Sequence, residues 1–276
     1  MKQMLVAIDV DGTLVGDDLV ISAADRAAIE AAARSGWIIC LASGRLFAAS
    51  RPFAQQLALS GPIIVLQGAV AYDLASGRRL FCSPLERRLA LRAYDFLKMR
   101  GFHMQLYFGD QLYLDGLNRW SDYYLSLSRV EPVMVADLRL LLSGTPPVEP
   151  GPMKVLAIAE PSEVAATIPA LKQEVGARAN VFRSLPPFLE VTDPNANKGH
   201  ALRTVAALVG VDMADTAAIG DADNDIPMLR AAARSFVVSS GSEAAKAAAS
   251  VVVPQLGRGV AEALRLLEEE RAREPA

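Results

Sequence analysis

Short apolar runs recur in the first third of the chain and again in its last third, each ending in small or polar residues. Leu5-Val6-Ala7-Ile8, Trp37-Ile38-Ile39-Cys40-Leu41-Ala42 and Pro62-Ile63-Ile64-Val65-Leu66 make the first set. Thr216-Ala217-Ala218-Ile219, Phe236-Val237-Val238 and Val251-Val252-Val253 make the second. Runs this short, apolar at nearly every position, predict strands buried on both faces, as in a parallel sheet. Helical stretches separate them. Ser22 predicts an N-cap with Asp25 three residues on, and Gly36 a stop. A second helix is predicted to run to about Leu59. Lys198 opens a helix with Ala201, Leu202, Val205 and Leu208 on one apolar side. Further helices are predicted over 226–233, 242–249 and from Gly259 to Glu270. Strand and helix in alternation predict an α/β fold with a doubly wound parallel sheet.

The pattern changes in the middle. Residues 70–82 read as a hairpin around Ser76-Gly77, and Pro84 starts a helix that Gly101 closes. His103-Met104-Gln105-Leu106-Tyr107 and Gln111-Leu112-Tyr113-Leu114 read as two strands joined by Gly109-Asp110. A strand over 154–159, a helix over 162–175 and a strand over 188–191 continue this mixed style. Residues 84–191 are therefore predicted to form an α+β domain inserted into one made of 1–83 and 192–276.

Composition narrows the class. Of 276 residues, 52% are hydrophobic and 21% charged, which suits a well-buried globular chain. A formal net charge of −3 offers no broad electrostatic case for nucleic acid. No run approaches the roughly 18 apolar residues of a membrane helix. The chain reaches Asp9 too soon for a signal peptide. Of the cysteines Cys40 and Cys82, Cys40 lies in an apolar run and is expected as a buried thiol, which fits a reducing cytoplasm.

Candidate chemistry falls where the predicted strands end. Asp9 and Asp11 follow the first strand with Gly12-Thr13 behind them. Two apart on an extended backbone, they point to one side. Ligands in open parallel α/β sheets bind beyond the carboxyl ends of the strands. Adjacent carboxylates repel, and a divalent cation relieves that cost; Mg²⁺ takes carboxylates together with substrate phosphate. Asp221 and Asp225 lie in Gly220-Asp221-Ala222-Asp223-Asn224-Asp225, after another strand. Four apart, they are expected to share a helix face and to join Asp9 and Asp11 around one ion. An acidic turn or helix capping explains any one of these acids alone, but three aspartates in five residues exceed what capping needs. Ser43-Gly44 ends the second strand before a helix, where a hydroxyl and free backbone N–H groups suit a phosphate oxygen, although an N-cap serine reads the same way. Lys198 at a helix start opposes the helix dipole unless an anion is near.

In order, these four stretches resemble the four motifs of the haloacid dehalogenase-like phosphatases: Asp9-Val10-Asp11-Gly12-Thr13, Ala42-Ser43-Gly44-Arg45, Lys198-Gly199 and Gly220 to Asp225. The insert resembles the cap of the Cof-type sugar-phosphate phosphatases. The resemblance implies a Rossmann-like core and a Mg²⁺-dependent phosphatase acting on a small phosphorylated metabolite through an aspartyl-phosphate. It implies Asp9 as nucleophile and Asp11 as acid and base, and a cation held by Asp9, the Asp11 carbonyl and Asp221, with Asp225 orienting the metal shell. It also implies Ser43, Gly44, Lys198 and Asn224 on the phosphate, and a cap that closes and sets specificity, with His103, Gln105, Tyr107 and Tyr113 as its candidates. Gln67-Gly68-Ala69 and Ser240-Gly241-Ser242 depart from the Cof pattern of Asn-Gly-Ala and Gly-Asn-Ala. A phosphomutase of the phosphomannomutase type and a silent phospho-ligand sensor are the competing readings. The oligomeric state and the substrate's identity stay open.

Overall fold

The computed structural model describes residues 3–273. Its elements follow in order from β1 (Leu5–Asp9), α1 (Ala23–Arg34), β2 (Ile38–Ala42), α2 (Phe47–Gln56), β3 (Pro62–Val65), β4 (Val70–Asp73) and β5 (Arg79–Cys82). Next come α3 (Arg87–Lys98), β6 (His103–Phe108), β7 (Gln111–Leu114), α4 (Arg119–Ser128), β8 (Val133–Met134), α5 (Leu138–Ser143), β9 (Pro152–Ile158), α6 (Pro161–Val175), β10 (Asn180–Arg183) and β11 (Phe188–Thr192). The chain ends with α7 (Lys198–Val209), β12 (Thr216–Gly220), α8 (Ile226–Ala231), β13 (Arg234–Val238), α9 (Glu243–Ala248), β14 (Val251–Val253) and α10 (Gly259–Arg273). Two compact units result. One takes the residues up to 44, 50–81 and those from 197 on; the other takes 45–49 and 82–196.

The first unit is built on a sheet ordered β14-β13-β12-β1-β2-β3-β4-β5. The strands from β14 through β3 run parallel, and β4 turns back antiparallel to β3. β1 is buried at every position, as its apolar sequence requires. From β1 the chain winds outward through β2 and β3; later it re-enters at β12 and winds the other way through β13 and β14. The winding therefore reverses between β1 and β12, which pair from Leu5↔Thr216 to Ile8↔Ile219. This switch point is where open α/β sheets form their ligand crevice. Ala201, Leu202, Val205 and Ala206 of α7 pack on Leu5, Ala7, Ala218 and Met228. Each fully buried leucine, valine or methionine among them contributes roughly 1.5–3 kcal/mol. Cys40 is free and buried in β2, and burial pushes its thiol up to about 12, which makes it unreactive.

The second unit carries a sheet ordered β10-β11-β9-β6-β7-β8. Its pairs are antiparallel except β7 with β8. One face is apolar: Met104, Leu106, Phe108, Val155, Leu189 and Val191 pack under α3, α5 and α6. The opposite face carries His103, Gln105, Tyr107, Lys154, Glu190 and Thr192, all buried. Tyr113 pairs with Leu106 and packs against the apolar core, so it lies on the opposite face from the other specificity candidates, His103, Gln105 and Tyr107. α4, β8, α5 and β10 have no counterpart in the sequence reading. The unit also runs past the predicted end at 191, since β11 continues to Thr192, and it takes in residues 45–49.

Candidate active site

Asp9 is the last residue of β1 and is buried. The strand stops there, so two-residue alternation does not extend to Asp11, which is exposed. The turn beyond is held by Val15 N–H to Val10 O at 2.9 Å and Gly12 N–H to Val15 O at 2.8 Å. Gly12 has a φ of 89°, and a Cβ on it would collide with the carboxylate of Asp221. Only glycine lets the first loop lie this close to the last acidic one. Thr13 Oγ1 donates to Asp221 Oδ1 at 3.0 Å.

Asp221 follows β12 directly. The residues after it form a 3-10 turn over Asp223–Asp225, and α8 begins only at Ile226. Asp221 and Asp225 therefore share no helix face. They meet because the turn folds back: Asp225 Oδ2 accepts from the backbone N–H of Asp221 at 3.0 Å and of Ala222 at 3.1 Å. Ser242 braces the same loop, with its N–H on Asp221 O at 2.8 Å and its hydroxyl on Asp223 Oδ1 at 2.6 Å.

Lys198 is the first residue of α7, behind an Asn197 cap that accepts from His200 N–H at 2.9 Å. It is fully buried. Its ammonium donates to Asp9 Oδ1 and, at 2.6 Å, to Asp225 Oδ1. These carboxylates offset the unfavourable placement of a cation at a helix start. Burial alone would pull the lysine down, but Asp225 and Asp9 hold it above its ordinary range.

Among the described residues, Asp9, Asp221 and Asp225 each offer an oxygen, all within 4.8 Å of one another. The Asp11 carboxylate is not in this group. Burial first, then the charge of Asp225, raises Asp9 well above the usual carboxylate range; Lys198 opposes this. Asp221 is raised for the same leading reasons. Asp9 Oδ2 is buried with no hydrogen-bond partner. A buried carboxylate oxygen without a donor is costly. Three acids around one lysine, with one oxygen unsatisfied, fit a divalent cation, which favours such oxygen donors.

Ser43 is buried at the end of β2; its N–H donates to Ile64 O at 2.9 Å and its carbonyl accepts from Gln67 N–H at 3.1 Å. Helix α2 does not start beside it. Its first N–H groups, of Phe47 and Ala48, are taken within the second unit by Asp110 at 2.5 and 2.9 Å. The helix terminus expected at Ser43-Gly44 thus lies further on and already has its carboxylate. In sequence Asp110 reads only as a hairpin residue, and nothing local marks it as a cap for a segment 62 positions away. Asn224 Nδ2 donates to Gln67 Oε1 at 2.9 Å, a partner the sequence reading noted only as a departure.

A family model of haloacid dehalogenase-like hydrolases matches residues 6–264. The chain is 28% identical to the HMP-PP phosphatase of Cronobacter sakazakii, over 86% of this chain and 84% of that one. It is 26% identical to the 5-amino-6-(5-phospho-D-ribitylamino)uracil phosphatase YitU of Bacillus subtilis, over 89% and 90% of the two chains. The crystal structure of TM0651 from Thermotoga maritima superposes with a TM-score of 0.83 at 26% identity, covering 96% of this chain and 97% of that one. The chain belongs to the haloacid dehalogenase-like hydrolases. It is a phosphoric monoester hydrolase. No helix among the described residues is long and apolar enough to cross a membrane.

Proposed function

We propose that the protein is a Mg²⁺-dependent phosphatase that cleaves the phosphomonoester of a small metabolite through an aspartyl-phosphate. The observation that carries this reading is the unsatisfied Oδ2 of Asp9, buried beside Asp221, Asp225 and Lys198. Phosphatases of small phosphorylated compounds among the relatives support the substrate class. Asp9, the Asp11 carbonyl and Asp221 would hold the cation, with Asp225 orienting the shell around it. When bound, the ion neutralises phosphate charge and keeps the carboxylates ionised.

The chain's own residues carry the steps. One carboxylate oxygen of Asp9 attacks phosphorus, while Lys198, which donates to Oδ1, orients that carboxylate. The phosphorus–alkoxide bond breaks, and the leaving oxygen takes the proton of Asp11. Asp11, now a carboxylate, takes a proton from water, whose oxygen displaces Asp9 and yields inorganic phosphate. Lys198, Ser43, Gly44 and Asn224 hold the phosphate oxygens where charge gathers. Specificity we assign to the inserted unit, whose polar row from His103 to Tyr107, with Lys154 and Glu190, offers buried donors and acceptors. The compartment we assign is the cytoplasm, which suits the two free thiols.

The test is phosphate release from p-nitrophenyl phosphate and from a panel of phosphorylated metabolites, with Mg²⁺ and with chelator. Activity should require the metal and disappear in Asp9→Asn. An Asp9→Asn protein with full turnover removes Asp9 as nucleophile.

A further inference from the structure

Gln67 occupies the turn after β3, where the backbone is left-handed at successive non-glycine residues. Leu66 has a φ of 51° and Gln67 a φ of 60° with ψ of 22°. Side chains with a Cβ rarely adopt this region, and it persists only where the surroundings impose it. Both residues are buried.

The contacts of Gln67 reach across the site. Its N–H donates to Ser43 O at 3.1 Å. Its Oε1 accepts from Asn224 Nδ2 at 2.9 Å, across 157 positions of sequence. Its Nε2 lies against Gly44, where any Cβ would collide with it. The next residue, Gly68, is itself at a φ of 94° and packs directly on the Asn197–Lys198 peptide. One strained turn therefore touches the second, third and fourth of the chemical stretches.

We infer that Gln67 is a positioning residue for the phosphate site, acting by orienting the side-chain amide of Asn224. A primary amide that gives one N–H to a fixed acceptor has its plane and its oxygen and nitrogen ends decided. Asn224 then meets the substrate with its other donor already set, at little orientational cost. The left-handed backbone is what brings the Gln67 carboxamide within reach. This rests on the phosphatase reading above, with Asn224 on the phosphate.

The experiment is a double-mutant cycle on the full chain. Gln67→Gly suits the positive φ and deletes the amide; Gln67→Met keeps length without hydrogen bonding and guards against one variant failing to fold. Asn224→Ala and the Gln67→Gly/Asn224→Ala double variant complete the cycle. Inorganic phosphate affinity is read by calorimetry with Mg²⁺, and KM and kcat with p-nitrophenyl phosphate. Each Gln67 variant should weaken phosphate binding and raise KM about tenfold, the scale of one hydrogen bond at a charged ligand. Gln67→Gly should melt at or above the wild-type temperature. In the Asn224→Ala background it should cost less than about twofold, because its route is already cut. Wild-type affinity in both Gln67 variants, or an undiminished tenfold loss in the Asn224→Ala background, overturns the inference while leaving an active phosphatase in place. A wild-type chain that neither releases nor binds phosphate overturns the phosphatase reading and the inference with it.

Discussion

Lys198 and Asp225 meet at 2.6 Å with neither side chain exposed to solvent. The same ammonium donates to Asp9, so one buried cation holds together acids from the start and the end of the chain. Removing one member of such a pair leaves uncompensated buried charge and typically costs about 3–5 kcal/mol. Lys198→Met should therefore lower stability by about that much in metal-free buffer, measured by denaturant unfolding. It should also lower kcat roughly 10²–10³-fold. Mg²⁺ should stabilise this variant more than it stabilises the wild type, because the ion then offsets charge the lysine no longer does. Equal unfolding midpoints for wild type and Lys198→Met in chelator count against the pair's structural role.

Gly12→Ala is a sharper probe of how the first loop meets the last. The added methyl would meet the Asp221 carboxylate, at a φ of 89° that disfavours any Cβ. Asp221 must move and lose its bond from Thr13. Stability should fall by more than about 1 kcal/mol. Mg²⁺ affinity, read as the metal-induced rise in melting temperature, should fall further than in Thr13→Val, which removes the hydroxyl and leaves the backbone alone. A Gly12→Ala protein with wild-type Mg²⁺ response argues against close packing of the two loops.

The core was legible in sequence because its strands are apolar at nearly every position and its helices carry caps. Ser22 caps α1 through the N–H of Asp25, as the local sequence suggests. Leu202 and Val205 face the core as helical spacing dictates, whereas Leu208, which the same spacing assigns to that side, is exposed. What was not legible depends on contacts between distant segments. Asp225 reaches Asp221 through a 3-10 turn that no spacing rule distinguishes from the start of a helix. Gln67 meets Asn224 from the other side of the switch point. The stretch holding α4 mixes aromatic, leucine and serine residues with no clean period, and Ser121 is the only buried residue of that helix. Asn118 caps that helix through Trp120 and Ser121.

A second buried ion pair lies in the inserted unit, where Lys154 Nζ stands 3.1 Å from Glu190 Oε2. Neighbouring strands β9 and β11 place them on the polar face, with Lys154 also over the Tyr107 ring at 4.4 Å. Glu190→Leu alone should destabilise by about 3–5 kcal/mol, because it strands the lysine in a buried position. Replacing both, as Lys154→Met with Glu190→Leu, should recover most of that loss, since apolar side chains of similar volume need no desolvation of charge. Thermal unfolding of the three variants measures this. Substrate selection is the second readout: if the polar face recognises substrate, the double variant keeps p-nitrophenyl phosphate turnover but loses discrimination across a metabolite panel. A double variant as unstable as the single one contradicts the charge argument.

His103 tests the same face by pH. Burial pulls its imidazole down to about 4; Asp115 works against this and Lys98 with it. Its ring nitrogens lie 3.2 Å from Gln105 Nε2 and 3.1 Å from Asn118 Nδ2. An unfolded histidine titrates near about 6.5. Between about 4 and about 6.5 the unfolded chain therefore binds the extra proton and the folded chain does not. The histidine's contribution to stability is complete above that window and falls as pH is lowered through it. Asp110 acts in the opposite sense, because burial lifts it to about 6, so the folded chain holds its proton where the unfolded chain has lost it. The difference between wild type and His103→Gln cancels Asp110 and isolates the imidazole. Unfolding free energies measured from pH 7 to pH 4.5 should show the wild type losing stability relative to His103→Gln as pH falls. A constant difference across that range means that His103 titrates alike in both states, which is incompatible with its burial.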